Sequence, residues 1–328
     1  MASPSTFPVS PLALARTGIA FDALCAQAGV VPAPSLGTED FFRLWTTAEE
    51  LLDDRSAGLR FGERAVAEGF SHAAIVATHA PDLRRALLAL ARYKRLTCPE
   101  VVDVEAAGTE IRVRYRWLHA KERVPRLLVD TTMASLAAMI RQGSEGRVAP
   151  IRIELARPAA DAALLQQHFG CTVTFGAMVD AMILPIDVLY APFVGADEHA
   201  FTRIIDGLER QLVESRDADA LVDDLRVTIA RQLSEGRRTS LAHVATRMGM
   251  SARTLQRRLI ACGTSFQAQL DQVRRITASR LLVNTDLDPI AIAMLVGFVE
   301  PNSFARAFRA WERTTPLRWR ARHGAGFR

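Results

Sequence analysis

Two groups of polar and basic residues in the last third of the chain have side chains suited to reading a nucleic acid. They are Arg253, Gln256 and Arg257, followed about 50 residues later by Asn302, Ser303 and Arg306. Arginine pairs bidentately with guanine in the major groove, and glutamine or asparagine pairs in the same way with adenine. Arg258 and Arg309 lie beside these groups and suit phosphate contacts, which position a protein on DNA without selecting sequence.

Each group falls on the second helix of a predicted helix-turn-helix motif. In both motifs an alanine precedes a glycine by four residues, and an apolar pair four residues apart follows. The positions are Ala245, Gly249, Leu255 and Leu259 in the first motif, and Ala293, Gly297, Phe304 and Phe308 in the second. Alanine lets two helices cross closely, and glycine permits the left-handed turn between them. The apolar pair anchors one face of the second helix, which leaves the opposite face free for a DNA groove.

Helix starts and a long connecting helix complete this pattern. Ser251 is predicted to cap the second helix of the first motif, and Asp288 with Pro289 to begin the second motif. Between the motifs, residues 266–283 form a long helical pattern that contains Arg274, Arg275 and Arg280. The residues of this helix that we assign to packing are Phe266, Leu270, Val273, Leu281 and Leu282.

The positive charge of the chain is confined to this part. Residues 236–328 carry 16 lysine and arginine residues against 5 acidic residues, a net charge of +11, whereas residues 1–235 have a net charge of −6. A locally basic helical segment is the electrostatic footprint expected of a polyanion binder. The acidic remainder argues against a chain that coats nucleic acid along its whole length.

Seven short segments spread over residues 236–322 carry a resemblance to a known family. They are Ser251-x-x-x-Leu255-Gln-Arg-x-Leu259, Gly263-Thr-Ser-Phe266, Val273-Arg-Arg, Ala278-x-x-Leu281-Leu, Ala291-x-x-x-x-x-Gly297-Phe, Phe304-x-Arg-Ala-Phe308-x-x-Trp311 and Pro316-x-x-Trp-Arg320. This part of the chain resembles the DNA-binding domain of the AraC/XylS family of bacterial transcription regulators. The resemblance implies that the long helix sets the two second helices in successive major grooves, about 34 Å apart. The family usually has a glycine in the loop after the last aromatic residue, where this chain has Trp311-Glu-Arg-Thr-Thr-Pro316.

The preceding part of the chain mixes helical and strand patterns. Helical patterns cover residues 12–28, 41–52, 83–93, 124–142 and 159–169, and strand patterns cover 101–105, 110–117, 151–155, 172–175 and 181–184. The strands 101–105 and 110–117 alternate at period two, which predicts a hairpin with one charged face and one apolar face. The strands 172–175 and 181–184 are expected to form a second strand pair. We therefore expect an α+β N-terminal domain, with helices and an antiparallel sheet, followed by an all-α domain with two helix-turn-helix motifs.

Four segments follow from these patterns. We expect a flexible arm at residues 1–11, a ligand-sensing domain at 12–198, connecting and possible dimerisation helices at 199–235, and the DNA-binding domain at 236–328. The segments Gly58-Leu-Arg-Phe-Gly62, 83–93 and 169–176 resemble the arabinose-binding-like domain of an AraC subfamily that includes regulators of ornithine use and quorum sensing. A domain of this type does not have to bind a sugar.

Four residues are candidates for an effector pocket in that domain, namely Trp45, Tyr93, Arg95 and Trp117. The aromatic rings would line the pocket, and Arg95 would meet a carboxylate. The alternative interpretation is that the rings are core residues and that Arg95 is a solvated charge.

The remaining features exclude several classes of protein. Cys25, Cys98, Cys171 and Cys262 are far apart and form no metal-binding or disulfide pattern, which favours reduced thiols in a cytoplasm. No apolar run approaches the roughly 20 residues of a membrane span. We find no catalytic group, no metal site and no cofactor motif, and His72 with His79 lacks companion ligands.

The sequence thus predicts a cytoplasmic, ligand-responsive regulator, expected to be a homodimer, that binds double-stranded promoter DNA and changes the recruitment of RNA polymerase. One alternative is a ligand-independent regulator controlled by its expression level. Another is a DNA-repair alkyl acceptor fused to the same DNA-binding domain, which would require a zinc-bound set of cysteines.

Overall fold

The computed structural model describes residues 6–8, 18–33, 35–69, 79–94, 100–117, 120, 123–214, 217–234, 236 and 239–323. The chain forms two compact units, one built mainly from residues before Val213 and the other mainly from Val213 onward. They are called the N-terminal unit and the C-terminal unit below. Within the described helices, none has both the length and the apolar character of a membrane-crossing segment.

The N-terminal unit combines helices with a small pair of strands and a larger sheet. Its helices are α1 (Phe21–Ala28), α2 (Thr38–Leu52), α3 (Ala57–Ala67), α4 (Leu83–Tyr93), α5 (Arg126–Ser144), α6 (Ala162–Phe169) and α7 (Glu198–Glu214). Its strands are β1 (Thr6–Pro8), β2 (Ser35–Gly37), β3 (Glu100–Ala107), β4 (Glu110–Trp117), β5 (Arg152–Leu155), β6 (Thr172–Phe175) and β7 (Asp180–Pro185), and a 3₁₀ helix (Ile186–Tyr190) follows β7. The expected helix at 12–28 begins only at Phe21, because Gly18 takes a left-handed conformation at φ +91° and residues 18–20 are not helical. Residues 9–17 lie outside the described part.

The larger sheet is mixed rather than antiparallel throughout. Its strand order is β3-β4-β7-β5-β6, and the β5–β6 pair is parallel while the other pairs are antiparallel. The prediction that strands 172–175 and 181–184 pair with each other is wrong, because β5 lies between them in the sheet. The physical reason is α6, which connects β5 to β6 and returns the chain to the same end of the sheet, as a parallel pair requires.

The β3–β4 hairpin divides its side chains between an apolar face and a charged face, as the sequence predicts. Gly108 takes the left-handed conformation of the turn, at φ +60°. Ile111 and Val113 are buried on one face, while Arg114 on the other lies 2.7 Å from Glu105 of the neighbouring strand. Opposite charges on paired strands stabilise a sheet, so this alternation holds the register of the hairpin.

Helices α3 and α5 pack unusually closely, and two glycines make this possible. A β-carbon added at Gly58 would lie 2.7 Å from the Cβ of Asp130. A β-carbon added at Gly62 would lie 2.5 Å from the carbonyl oxygen of Thr131 and 2.6 Å from the Cβ of Ala134. The glycine spacing of four residues therefore serves helix packing, since positions i and i+4 share one helix face.

The C-terminal unit is helical. Its helices are α8 (Asp217–Ser234), α9 (Leu241–Arg247), α10 (Ala252–Ala261), α11 (Phe266–Asn284), α12 (Pro289–Leu295), α13 (Pro301–Glu312) and α14 (Pro316–His323). Two hydrophobic cores lie along α11. Leu270 and Val273 belong to the first core, with α8, α9 and α10, and Leu281 and Leu282 belong to the second, with α12, α13 and α14.

The start of the C-terminal unit differs from the expected boundary at residue 236. Leu225, Ile229 and Leu233 of α8 are nearly fully buried in the first core, together with Val244 and Leu255. The apolar residues at four-residue intervals in α8 (Leu221, Leu225, Ile229 and Leu233) therefore serve packing within the unit. This helix, which the sequence assigns to the connecting and possible dimerisation segment 199–235, packs within the C-terminal unit.

We expect Gly62→Ala to destabilise the N-terminal unit by about 1–3 kcal/mol, because the added methyl group meets backbone and side-chain atoms of α5 that are not free to move away. Urea unfolding followed by circular dichroism measures the change. Gly207→Ala is the matched control, since that glycine lies within α7 with open space at the β-carbon position. It should be neutral or slightly stabilising. Equal effects of the two substitutions would contradict the packing argument.

Candidate nucleic-acid interface

The first helix-turn-helix motif consists of α9 and α10 and has the predicted geometry. Gly249 adopts φ +67° in the turn, and the Met250 amide donates to the Ala245 carbonyl oxygen at 2.9 Å. Ala245 is fully buried where the helices cross, and Leu255 and Leu259 of α10 are buried beside it. The apolar pair therefore fixes which face of α10 points outward.

The second motif, α12 and α13, repeats this geometry. Gly297 adopts φ +78°, and the Phe298 amide donates to the Ala293 carbonyl oxygen, also at 2.9 Å. Phe304 and Phe308 occupy the buried positions of α13, with ring centroids 5.7 Å apart. The two turns thus share the same hydrogen-bond pattern between equivalent residues, which supports their origin as one motif used twice.

The helix starts confirm the predicted caps. The Ser251 hydroxyl accepts from the Thr254 amide at 3.1 Å, and the Asp288 carboxylate accepts from the Ile290 amide at 2.6 Å. Helix α13 starts differently, because it has no side-chain cap and instead begins with Pro301. Proline suits this first position, where its missing amide proton would have had no helical partner.

The outward faces of α10 and α13 present the side chains that the sequence selects. The exposed residues are Arg253, Gln256, Arg257 and Arg258 on α10, and Asn302, Arg306 and Arg309 on α13. Ser303 is half-buried, and its hydroxyl accepts from Arg306 at 3.3 Å. Arg258 lies against the Met250 sulfur, with Nη1 at 3.7 Å. Every residue predicted to contact DNA therefore lies on one of the two second helices, and all except Ser303 are exposed.

Several other arginines of the C-terminal unit are bound within the protein. Arg275 donates to both carboxylate oxygens of Glu312, at 2.7 and 3.2 Å. Arg320 donates to the carbonyl oxygens of Leu282 and Leu287. These arginines contribute to the basic charge of residues 236–328, and their residue type and helical position do not distinguish them in the sequence from the arginines expected to contact DNA.

The loop that departs from the family pattern contains a left-handed residue. Arg313 ends α13 at φ +56°, a conformation that glycine adopts without steric cost. A glycine at this position of the loop would adopt that conformation without strain. The change affects the end of α13 and no predicted contact residue.

Comparisons with known proteins agree with this geometry. A family model described as the arabinose-binding domain of AraC transcription regulators, N-terminal, matches residues 13–193, and a helix-turn-helix domain model matches residues 244–322. The first match alone covers more than half of the chain. The chain belongs to the AraC family of transcription regulators.

Curated relatives of this AraC-family chain span most of its length. The HTH-type transcriptional regulator VirS of Mycobacterium tuberculosis is 29% identical over 293 residues, which cover 88% of this chain and 85% of the relative. The ornithine utilization regulator of Pseudomonas aeruginosa is 25% identical over 309 residues, covering 92% and 89%. The crystal structure of the transcriptional regulator CdpR from Pseudomonas aeruginosa aligns with 92% of this chain and 96% of that chain, at 21% identity and a TM-score of 0.42.

The candidate effector residues of the AraC-family N-terminal unit lie in different surroundings. Trp45 is partly exposed, whereas Tyr93 and Trp117 are each 2% exposed. Trp117 packs edge-on against Phe42 with ring centroids 5.5 Å apart, and the Tyr93 hydroxyl donates to Glu209 of α7. Arg95 lies outside the described residues. The effector pocket stays a prediction, and the burial of two of its rings fits the alternative core role equally well.

A buried carboxylate that sequence analysis missed lies beside Trp117. Glu100 begins β3 opposite Trp117 and is fully buried, with the Lys94 ammonium 3.3 Å from its Oε2. Burial raises the pKa of Glu100 to about 7, against the opposing effect of Lys94. Burial also raises the pKa of the neighbouring Tyr115, and the charge of Glu100 adds to that shift. A charged residue at the end of a strand pattern gives no sequence signal of such burial.

A small cavity lies elsewhere in the described part of the N-terminal unit, between α5 and α6. It has a volume of about 190 Å³, and Ile140, Arg141, Val148, His168 and Phe169 are among its lining residues. Burial lowers the pKa of His168, which favours the neutral imidazole. Since most small-molecule sites occupy about 300–1,000 Å³, this cavity alone is small for a metabolite.

Metal-binding groups are also scattered. Among the described residues, no three histidine, cysteine, aspartate or glutamate side chains lie close enough to hold a metal ion. The described thiols of Cys25, Cys171 and Cys262 are free. Cys98 lies outside the described residues.

We expect Gly249→Val to lower the stability of the first motif and its affinity for DNA. The space around the β-carbon is open, so the cost comes from the left-handed backbone, which a β-branched residue resists. Gly249→Asn is the matched control, because asparagine tolerates this conformation. Thermal unfolding and DNA titration measure both effects. A valine variant as stable and as tightly bound as the asparagine variant would refute the argument.

We expect Glu100→Gln to stabilise the protein at pH 8 more than at pH 5. The pKa of a glutamate in an unfolded chain is about 4.3. Between that pH and about 7, the folded protein therefore binds more protons at Glu100 than the unfolded protein does. The free energy of unfolding therefore falls as pH rises through this window, and glutamine removes that loss.

Urea unfolding of both proteins at the two pH values tests this expectation. Glu50→Gln makes the same substitution at an exposed position on α2 and is the control for the change of side chain alone. If the wild type is as stable as Glu100→Gln at pH 8, or more stable, the prediction is wrong, because Lys94 then offsets the cost of burying the charged carboxylate.

Proposed function

We propose that this AraC-family protein is a sequence-specific transcription regulator that responds to a small-molecule metabolite. It binds promoter DNA through its two helix-turn-helix motifs, which enter successive major grooves. The observation that carries the proposal is the repeated motif itself, with buried apolar pairs on one face of α10 and α13 and exposed arginine, glutamine and asparagine on the other.

The roles of the exposed residues follow from their chemistry. Arg253, Gln256 and Arg257 of α10 read base edges, as do Asn302, Ser303 and Arg306 of α13. Arg258 and Arg309 contact phosphates. Helix α11 belongs to both hydrophobic cores, so it presents the two second helices to the same duplex. A dimer then offers four such helices, which suits a long or repeated operator.

Ligand response is assigned to the N-terminal unit. Its match to the arabinose-binding domain model supports a sensing role, and one relative is named for ornithine utilisation. The candidate contact residues are Trp45, Tyr93, Arg95 and Trp117. A metabolite acts by binding one conformation of the protein more tightly than another, which shifts the population that binds the promoter and recruits RNA polymerase. This action takes place in the bacterial cytoplasm, where the promoter is.

The experiment that tests the proposal is a titration of the purified protein onto its own upstream intergenic DNA. Fluorescence anisotropy at several salt concentrations, with random DNA as competitor, separates specific from nonspecific binding. Tight binding that resists the competitor supports a sequence-specific regulator. Affinity equal to that for random DNA, with or without candidate metabolites, contradicts it.

The same assay, combined with thermal shift, distinguishes ligand control from control by expression level. A metabolite that raises the unfolding temperature and changes promoter affinity supports the ligand-responsive proposal. Specific DNA binding that no growth substrate changes, together with no thermal shift, supports the ligand-independent alternative.

We expect Arg257→Ala to cost about 1–3 kcal/mol of binding free energy on the specific site and to relax base preference at one position. Arg257→Lys keeps the charge but loses the bidentate fork, so it should weaken specific binding while leaving random-DNA affinity nearly unchanged. Titration of both variants onto a set of single-base operator variants measures these effects. Equal losses on specific and random DNA would assign Arg257 to a phosphate instead.

A further inference from the structure

We propose that Arg274 is a positioning residue that fixes the second helix-turn-helix motif relative to the first. In this role it sets the spacing between the two DNA segments that the protein reads. The inference deepens the proposed function, on which its consequence for DNA rests, but the contacts that carry it lie within the C-terminal unit.

The guanidinium of Arg274 is bound to the turn of the second motif. Its Nε donates to the Val296 carbonyl oxygen at 2.9 Å, and its Nη2 donates to the Gly297 carbonyl oxygen at 2.8 Å. The same group lies 4.6 Å from the centre of the Phe298 ring. Arg274 itself belongs to α11, so these contacts join the helix shared by both cores to the turn between α12 and α13.

The planar fork of arginine matches this arrangement. Two carbonyl oxygens that follow the end of α12 receive parallel donors, and the ring below provides a cation–π contact. Burial lowers the pKa of Arg274, against the opposing effect of Asp271. A lysine has one compact ammonium and cannot make the two parallel bonds together with the ring contact.

The side of this turn that faces Arg274 also touches the first core. A β-carbon added at Gly297 would lie 3.1 Å from Cδ2 of Leu233 and 3.3 Å from Nη2 of Arg274. Leu233 belongs to α8 and is buried in the first core. The turn of the second motif is therefore in contact with side chains of both α8 and α11. The equivalent turn of the first motif differs, since the β-carbon position at Gly249 has open space.

This difference between the two turns distinguishes a residue that positions the second motif from the residues that contact DNA bases. Both turns need glycine for their left-handed backbone, but the β-carbon position of the first has open space, whereas that of the second lies against side chains of α8 and α11. Arg274 is half-buried with its donors directed at the protein, so it does not share the exposed face of Arg306. Loss of Arg274 should leave each motif folded but allow the angle and the distance between the two motifs to vary.

The test uses the full-length protein and three kinds of duplex: one with only the first-motif half-site, one with both half-sites at native spacing, and two with the spacing changed by one base pair in either direction. We expect Arg274→Ala to bind the single half-site like the wild type. On the native two-half-site duplex it should lose about tenfold or more, and its preference for native over altered spacing should fall towards one.

Two variants control for charge and folding. Arg313→Ala removes an equal charge from the exposed loop after α13 and should keep the spacing preference. Arg274→Lys keeps the charge but should behave like Arg274→Ala. Equal loss on the single half-site, or an unchanged spacing preference in Arg274→Ala, would overturn the positioning role.

A measurement without DNA separates this inference from the proposed function. Spin labels at positions 253 and 310, both exposed, report the distance between α10 and α13 in a chain whose native cysteines are replaced by alanine. We expect a narrow distance distribution that Arg274→Ala broadens. An equally narrow distance distribution in the variant would overturn the positioning role of Arg274. A wild type that binds no duplex specifically would overturn the proposed function instead.

Discussion

The C-terminal unit depends on one helix being shared by two hydrophobic cores. Helix α11 has 19 residues and so spans about 28 Å. Leu270 and Val273 near its start are packed in the first core, while Leu281 and Leu282 near its end are packed in the second. Because a packed helix is stiff, the distance between the cores is set by its length.

The arginines that make this unit basic have two separate roles. All 16 basic residues after residue 235 are arginines. Some, such as Arg257 and Arg306, are exposed on the second helices, while Arg274, Arg275 and Arg320 bind carbonyl or carboxylate oxygens of the protein. Arginine suits both uses, since its planar group forms several directed hydrogen bonds. Net charge therefore overstates the number of phosphate contacts that the surface can make.

How much the sequence predicts depends on whether the determining interactions are local. The alanine, glycine and apolar pair of each motif lie within about fifteen residues, so their spacing alone predicts the helices, the turn and the exposed face. Caps at Ser251 and Asp288 are predictable for the same reason. The strand order of the sheet is not, because β5 pairs with β7 across a helix and another strand. Strand patterns give the strands but not their neighbours.

The residues that sequence analysis missed share this non-local character. Arg274 donates hydrogen bonds to a turn more than 20 residues away, and Glu100 interacts with Lys94, Thr132 and Asp180, which come from three parts of the chain. The leucines of α8 show the helical period of any amphipathic helix, and periodicity does not say which core they enter. The predicted pocket of Trp45, Tyr93 and Trp117 has the same weakness, since aromatic residues suit a core and a ligand site equally.

Helix α8 packs against both helix-turn-helix motifs of the C-terminal unit. It is the first helix of the C-terminal unit, and it follows directly on the helix that ends the N-terminal unit. Leu225 and Ile229 hold it to the first motif, and Leu233 extends that contact to the turn of the second. A displacement of α8 therefore disturbs both motifs at once.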